Sequence, residues 1–210
     1  FAPHWSPDGL EIAFHSIRTG NRDIYTVSAN GANEQSVLAT PTEERWPIWS
    51  HDGNRIYFNV GRPGSGLVRR AGRGSKWSAP ELLPRDRTGF FPSPDGSRGL
   101  YRDEVAQRIM VTDSAGNNPI PLVPKEYVVN TGDAGWSPDS KTVYFSARER
   151  DRTFSIYAAP ARGGIPVRVA HFTDKKMRPF RDRFSVGKAE FFITIGTRES
   201  DIWIMELKKQ

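Results

Sequence analysis

Trp5-Ser6-Pro7-Asp8-Gly9 returns as Trp49-Ser50-His51-Asp52-Gly53, as Pro92-Ser93-Pro94-Asp95-Gly96 and as Trp136-Ser137-Pro138-Asp139-Ser140. A worn fifth copy reads Phe184-Ser185-Val186-Gly187. The copies stand roughly 44 residues apart, a period that marks repeated supersecondary units rather than one irregular fold. In the motif proline fixes φ, aspartate can bond the backbone two residues on, and glycine supplies φ > 0, so it reads as a hairpin turn, with His51 in place of proline in the second copy and Ser140 in place of glycine in the fourth. A Ser-x-Asp pair also suggests two members of a hydrolytic triad, but an enzyme needs one nucleophile and this pair occurs four times. The aromatic residue before each turn is expected to pack between neighbouring units.

Working outward, each turn is followed by a β-branched and aromatic run: Ile12-Ala13-Phe14, Ile56-Tyr57-Phe58, Val143-Tyr144-Phe145 and Phe191-Phe192-Ile193. Such runs favour strands. A polar loop and a second run follow: Asp23 to Val27, Arg108 to Val111, Ser155 to Tyr157 and Asp201 to Ile204. Asn30-Gly31, Ala115-Gly116 and Gly163-Gly164 then signal another hairpin before a last short strand such as Ser36-Val37-Leu38 or Val167-Arg168-Val169. Four strands per copy predict an all-β fold, a β-propeller of about five four-stranded blades forming a single domain over 1–210. The approximate blades are 1–42, 43–86, 87–130, 131–174 and 175–210. Two expectations depart from regularity. Gly61 to Lys76 reads as a glycine-rich, basic loop, and the fifth copy is expected to turn around Gly187-Lys188. Its last blade has three strands, or the sequence is an incomplete, truncated part of a longer chain.

The 210 residues are 37% hydrophobic and 26% charged, with a mean hydropathy of −0.58, and no apolar run approaches the ~20 residues of a membrane-spanning helix. Cysteine is absent, which excludes disulfides and thiolate metal sites but fits oxidising and reducing compartments equally. The net charge of +6 favours acidic partners, yet the arginines are scattered, without the basic blocks of nucleic-acid-binding tails. His4, His15, His51 and His171 share no ligand spacing, so no metal site is read, and His4 and His15 are expected at the surface. Neither a nucleophile elbow nor a phosphate-cradling loop before a helix occurs, so no cofactor and no catalytic residues are read.

With these residues in hand, the pattern resembles the WD40-like repeat of TolB-type β-propellers, whose consensus runs Trp-Ser-Pro-Asp-Gly, apolar strand, Asp-Ile-Tyr. The resemblance spans the whole chain and is specific for the blade. It is unspecific for function, because the same blade occurs in periplasmic translocation proteins, in propellers attached to serine peptidases and in sensor domains. It implies that loops entering each first strand, and those joining second and third strands, gather on one face. Those loops carry Arg18, Arg22, Arg45, Arg62, Arg87, Arg150, Arg178 and Arg198, with Trp46 and Phe90 nearby. The expectation is a non-catalytic module that binds a protein or peptide partner, preferably acidic, through these ten residues, since arginine forks match carboxylates. A periplasmic or extracytoplasmic location is expected, a cytoplasmic one being the alternative. Against the basic face stands simple neutralisation by Glu43, Glu44, Asp86, Glu149, Asp151, Asp174 and Glu199. The rival functions are a glycoside-processing or hydrolytic propeller, using acids such as Glu43-Glu44 or Asp103-Glu104, and the regulatory propeller of a serine peptidase.

Overall fold

The computed structural model describes residues 1–61, 64–84, 87–125, 130–174, 178–187, 190–196 and 200–206. Their backbone forms five successive antiparallel meanders. The first contains β1 (His4–Trp5), β2 (Glu11–Ser16), β3 (Asp23–Ser28) and β4 (Gln35–Leu38), hydrogen-bonded in sequence order. The second repeats this with β5 (Glu44–Trp49), β6 (Arg55–Val60), β7 (Ser65–Arg69) and β8 (Glu81–Leu82). The third comprises β9 (Arg87–Pro92), β10 (Arg98–Asp103), β11 (Arg108–Asp113) and β12 (Ile120–Pro121). The fourth has β13 (Asn130–Trp136), β14 (Thr142–Arg148), β15 (Phe154–Pro160) and β16 (Val167–Phe172), and the fifth β17 (Arg178–Val186), β18 (Glu190–Gly196) and β19 (Ser200–Glu206). The chain divides into two compact units: Phe1–Pro92 with Gly96–Gln107, and Ser93–Asp95 with Arg108–Gln210.

The repeated motif is a turn in every copy that can be followed. Ser6, Ser50, Ser93 and Ser137 each donate through Oγ to the aspartate two residues on, at 2.5–2.7 Å. In three copies the same hydroxyl accepts the amide five residues later, from Glu11, Arg55 and Thr142. The aspartate accepts the amide of Leu10, Asn54 or Lys141, and the serine carbonyl accepts the amide of Gly9, Gly53 or Ser140. The serine hydroxyl and one carboxylate oxygen of the Ser-x-Asp pair are thereby engaged in closing the hairpin, the role the sequence reading gives them. In the fifth copy Gly187 donates to the Glu190 carbonyl; Lys188 lies outside the described residues.

Apolar residues of β2, β3 and β4 pack against the second sheet, where Ala13, Ile24, Val37 and Leu38 meet Trp49, Ile56, Phe58 and Val68. Arg70 is buried beside this cluster. Its guanidinium stacks 4.8 Å from the Trp49 ring centroid and 4.9 Å from that of Trp77, and it grips Glu11 with two hydrogen bonds of 3.1 and 2.6 Å. Burial of such a pair is tolerable only where the charges meet with good hydrogen-bond geometry, as this bidentate contact does. Two expectations need correction. Gly61 to Lys76 is not all loop, because it contains β7, whose Leu67 and Val68 are buried; Gly66 belongs there because a Cβ would stand 2.8 Å from the Phe58 ring. The aromatic residue before the turn is buried at Trp49 and Trp136 but 56% exposed at Trp5; Trp49 packs in one cluster with Val37 and Leu38 of the preceding sheet.

Candidate binding face on the second sheet

In the first unit the loop between β2 and β3 and the loop before β5 are tied together. Asn21 Nδ2 donates to the carbonyls of Thr40 and Thr42, and the Glu44 amide donates to the Arg22 carbonyl at 2.7 Å. This brings Arg22 and Arg45 onto opposite oxygens of one carboxylate, Glu43.

Trp46 follows at once and is the unusual residue of the site. It lies in a register shift between Arg45 and Ile48 with φ of 52°, a left-handed conformation that a bulky side chain adopts only under constraint. Gly89 occupies the same place in the third sheet, four residues before the turn serine, with φ of 69°, so the bulge belongs to the blade and the tryptophan is specific to the second sheet. Bulges re-aim a side chain; here the ring is half-buried, 6.0 Å from the Arg45 guanidinium. The Trp46 amide faces His15 Nδ1 at 3.5 Å, and His4 Nδ1 faces the Trp49 amide at 3.4 Å. His15 is therefore a buried residue under Phe1, 5.6 Å between ring centroids, rather than a surface one.

Other members of the expected set go elsewhere. Arg18 folds back along its own sheet, 4.4 Å from the Tyr25 ring centroid, and pairs with Glu34. Arg87 stacks on Tyr101 at 4.7 Å. Phe90 presents no surface: it is 6% exposed, 4.6 Å from Tyr57 between ring centroids, and its ring occupies the space a Cβ on Gly99 would need. The expectation for Phe90 fails because its side chain falls on the face of β9 turned to the core. Arg150 is exposed in the β14–β15 hairpin of the second unit. Arg178 opens β17, paired with Gly196, and its side chain is outside the described set, as are Arg62 and Arg198 altogether.

Glu44, read as a solvated neutralising acid, is 1% exposed. Its Oε1 accepts from Thr40 Oγ1 at 2.5 Å and Thr42 Oγ1 at 2.9 Å. Burial pushes its carboxyl above the ordinary 4.5, against the opposing pull of the two hydroxyls, and the charge of Asp23 adds to the rise. Asp23, also 1% exposed, receives the Thr19 hydroxyl on Oδ2. Neither acid stood out in the sequence; Glu44 departs from the repeat, since Arg87 stands in its place, whereas Asp23 is the aspartate of the Asp-Ile-Tyr element and recurs as Asp201.

No family model matches the chain. Over 150 residues it is 31% identical to the uncharacterized peptidase YuxL of Bacillus subtilis, covering 69% of this chain and 21% of that protein. Over 107 residues it is 27% identical to dipeptidyl-peptidase 5 of Porphyromonas gingivalis, covering 48% of this chain and 16% of the other. The chain thus spans about a fifth or less of these relatives. Among solved structures, a TolB-like protein of Agrobacterium tumefaciens superposes with a TM-score of 0.71 at 20% identity, over 98% of this chain and 76% of that one. A chain of the nidogen/laminin complex gives 0.71 at 10% identity over 98% and 74%. Prolyl oligopeptidase B of Galerina marginata gives 0.64 at 12% over 99% and 32%. At these identities the likeness is one of fold: the chain has the β-propeller fold of TolB-type proteins.

Proposed function

We propose that this chain is a non-catalytic propeller module that binds an extended, carboxylate-bearing protein or peptide segment in an extracytoplasmic setting. The observation that carries the reading is Trp46, a half-buried aromatic in a left-handed conformation where the neighbouring blade has glycine, flanked by two arginines that share Glu43. Strain of this kind persists where the surroundings over-determine it and clusters at ligand-binding positions. Tryptophan beside arginine is the pairing that anchors interfaces. The same arginine donors that meet Glu43 would receive a partner's carboxylate.

The test is fluorescence-polarisation binding of labelled decapeptides, acidic and neutral, to the native chain and to Trp46→Gly. Selective binding of acidic peptides, reduced at least tenfold in Trp46→Gly and in Arg22→Gln/Arg45→Gln, is expected. Equal affinity in native and substituted chains would remove the site from consideration.

A second reading is favoured by the two peptidase-named relatives: a propeller that governs access to a hydrolase domain elsewhere in a longer protein. A catalytic α/β domain in the full-length sequence, and faster cleavage of large substrates once this segment is deleted, would support it over the first.

A further inference from the structure

Two arginine–carboxylate contacts in the first unit differ in kind. Arg70 and Glu11 are shut away from solvent, their side chains 3% and 9% exposed, and Arg70 is packed against Trp49 and Trp77. At the loop cluster the contact is open: the side chains of Arg22, Glu43 and Arg45 are 39%, 35% and 19% exposed. Here one carboxylate serves two cations, with Glu43 Oε1 2.8 Å from Arg22 Nη1 and Oε2 on Arg45 Nη2. Exposed ion pairs are screened by water and add little to stability. The loops do not depend on this one, because Asn21 Nδ2 bonds the Thr40 and Thr42 carbonyls and the Glu44 amide bonds the Arg22 carbonyl. The Glu43 carbonyl is itself held by the Gly61 amide at 3.3 Å, and Arg45 pairs with Asn59 across β5 and β6. The backbone of all three residues is thus fixed whichever way the Glu43 side chain turns, and exposed side chains turn within nanoseconds.

We propose that Glu43 is a resident competitor, holding between Arg22 and Arg45 the position that a partner's carboxylate takes, and that binding exchanges one carboxylate for the other. The inference rests on the proposed binding at Trp46 and adds what limits it. In the exchange the contacts of Arg22 and Arg45 with Glu43 break, the same two guanidinium groups close on the partner, and the Glu43 side chain turns to water. Because Glu43 is tethered two residues from Arg45, its effective concentration exceeds that of a carboxylate free in solution. A lone anion therefore gains nothing at this site. A segment that also covers the Trp46 ring, 6.0 Å from the Arg45 guanidinium, gains the aromatic contact that Glu43 cannot supply. Glu43 in this way works against unwanted anions and raises the site's selectivity at the expense of its affinity.

The test titrates the full chain against a fluorescein-labelled decapeptide of alternating glutamate and leucine, with the glutamine–leucine decapeptide as the neutral control. Glu43→Gln and Glu43→Ala should each bind the acidic peptide about three- to tenfold more tightly than the native chain, with the neutral peptide unaffected. Glu81→Gln removes the same charge from the exposed Arg69–Glu81 pair and should leave the affinity within about twofold. Raising salt from about 0.05 to 0.3 M should weaken the Glu43→Gln complex more than the native one, since the native chain exchanges ion pairs whereas the variant forms them anew. Weaker binding in both Glu43 variants would overturn the proposal and make Glu43 a strut that holds the arginines in position. Unchanged binding would overturn it as well, and so would an equal gain in Glu81→Gln, which would reduce the effect to net charge. In each of these outcomes the native chain still binds the acidic peptide, and the binding reading stands. No binding of the acidic peptide by either the native chain or Glu43→Gln would overturn both.

Discussion

At the turn end of the sheets, the hydroxyls of Ser6, Ser50 and Ser137 each make the same two bonds, donating to the aspartate two residues on and accepting from the amide five residues on. At the opposite end, six residues before the turn serine, the second sheet has buried Glu44 and the third has Arg87; two residues further on, they have Trp46 and Gly89. Identity of the first kind is what any hairpin of this type needs to close. Divergence at the second end cannot be explained by closure, so that is where chemistry particular to this protein is to be sought.

The largest effect should come from breaking the clamp that joins the turn ends of the first two sheets. Arg70 also donates through Nε to the Gly53 carbonyl of the second turn. Arg70→Ala strands buried Glu11 and empties the space between Trp49 and Trp77, at a cost of about 3 to 5 kcal/mol, read by urea denaturation. Replacing both Arg70 and Glu11 with methionine should recover most of that loss.

Next in size are the turns. Ser50→Ala leaves the Arg55 amide without its acceptor, and a loss of about 1 to 3 kcal/mol is expected. If closure is the shared function, Ser6→Ala and Ser137→Ala should cost the same to within about 1 kcal/mol, additively because the sites are separate; a much larger loss at one turn would break the equivalence.

Acid–base behaviour should divide the two ends by sign. Burial raises the Glu44 carboxyl above 4.5, so its contribution is most favourable below 4.5 and declines as pH rises through the higher folded value. At the Asp52 turn burial pulls upward, but the Ser50 hydroxyl, the Asn54 amide and Arg55 outweigh it, holding the carboxyl below the ordinary 3.8. That contribution is present above 3.8 and fades as pH falls through the lower folded value. Tm measured from pH 2.5 to 8 should lose its decline above 4.5 in Glu44→Gln, and lose part of its fall below 3.8 in Asp52→Asn.

The smallest stability change belongs to Trp46→Gly. Relief of the left-handed strain and the added chain entropy of glycine oppose each other, and thermal unfolding should move by no more than about 1 kcal/mol in either direction. A large loss would make Trp46 a packing residue.

The repeat made the fold legible because hairpin chemistry is local: proline, aspartate and glycine act within five residues. β7 escaped because Gly66 and its neighbours read as loop until the Phe58 ring across the sheet is known. The candidate site was legible only in part. Arg22, Arg45 and Trp46 share a loop cluster that strand order implies, but the face on which Phe90 falls depends on the register after the bulge. The burial of Asp23 and Glu44 depends on a contact between strands 21 residues apart in sequence, which no local pattern reports.

The outer strands are unequal: β8 and β12 have 2 residues each, β4 has 4 and β16 has 6. Short outer strands give a neighbouring molecule little to pair with, whereas β16 ends the fourth sheet with Val167 65% and Val169 39% exposed. A long apolar margin of this kind recruits copies of itself. Concentrated preparations should therefore self-associate through β16 first, and a lysine in place of Val167 would keep them dispersed without touching either the turns or the loop cluster.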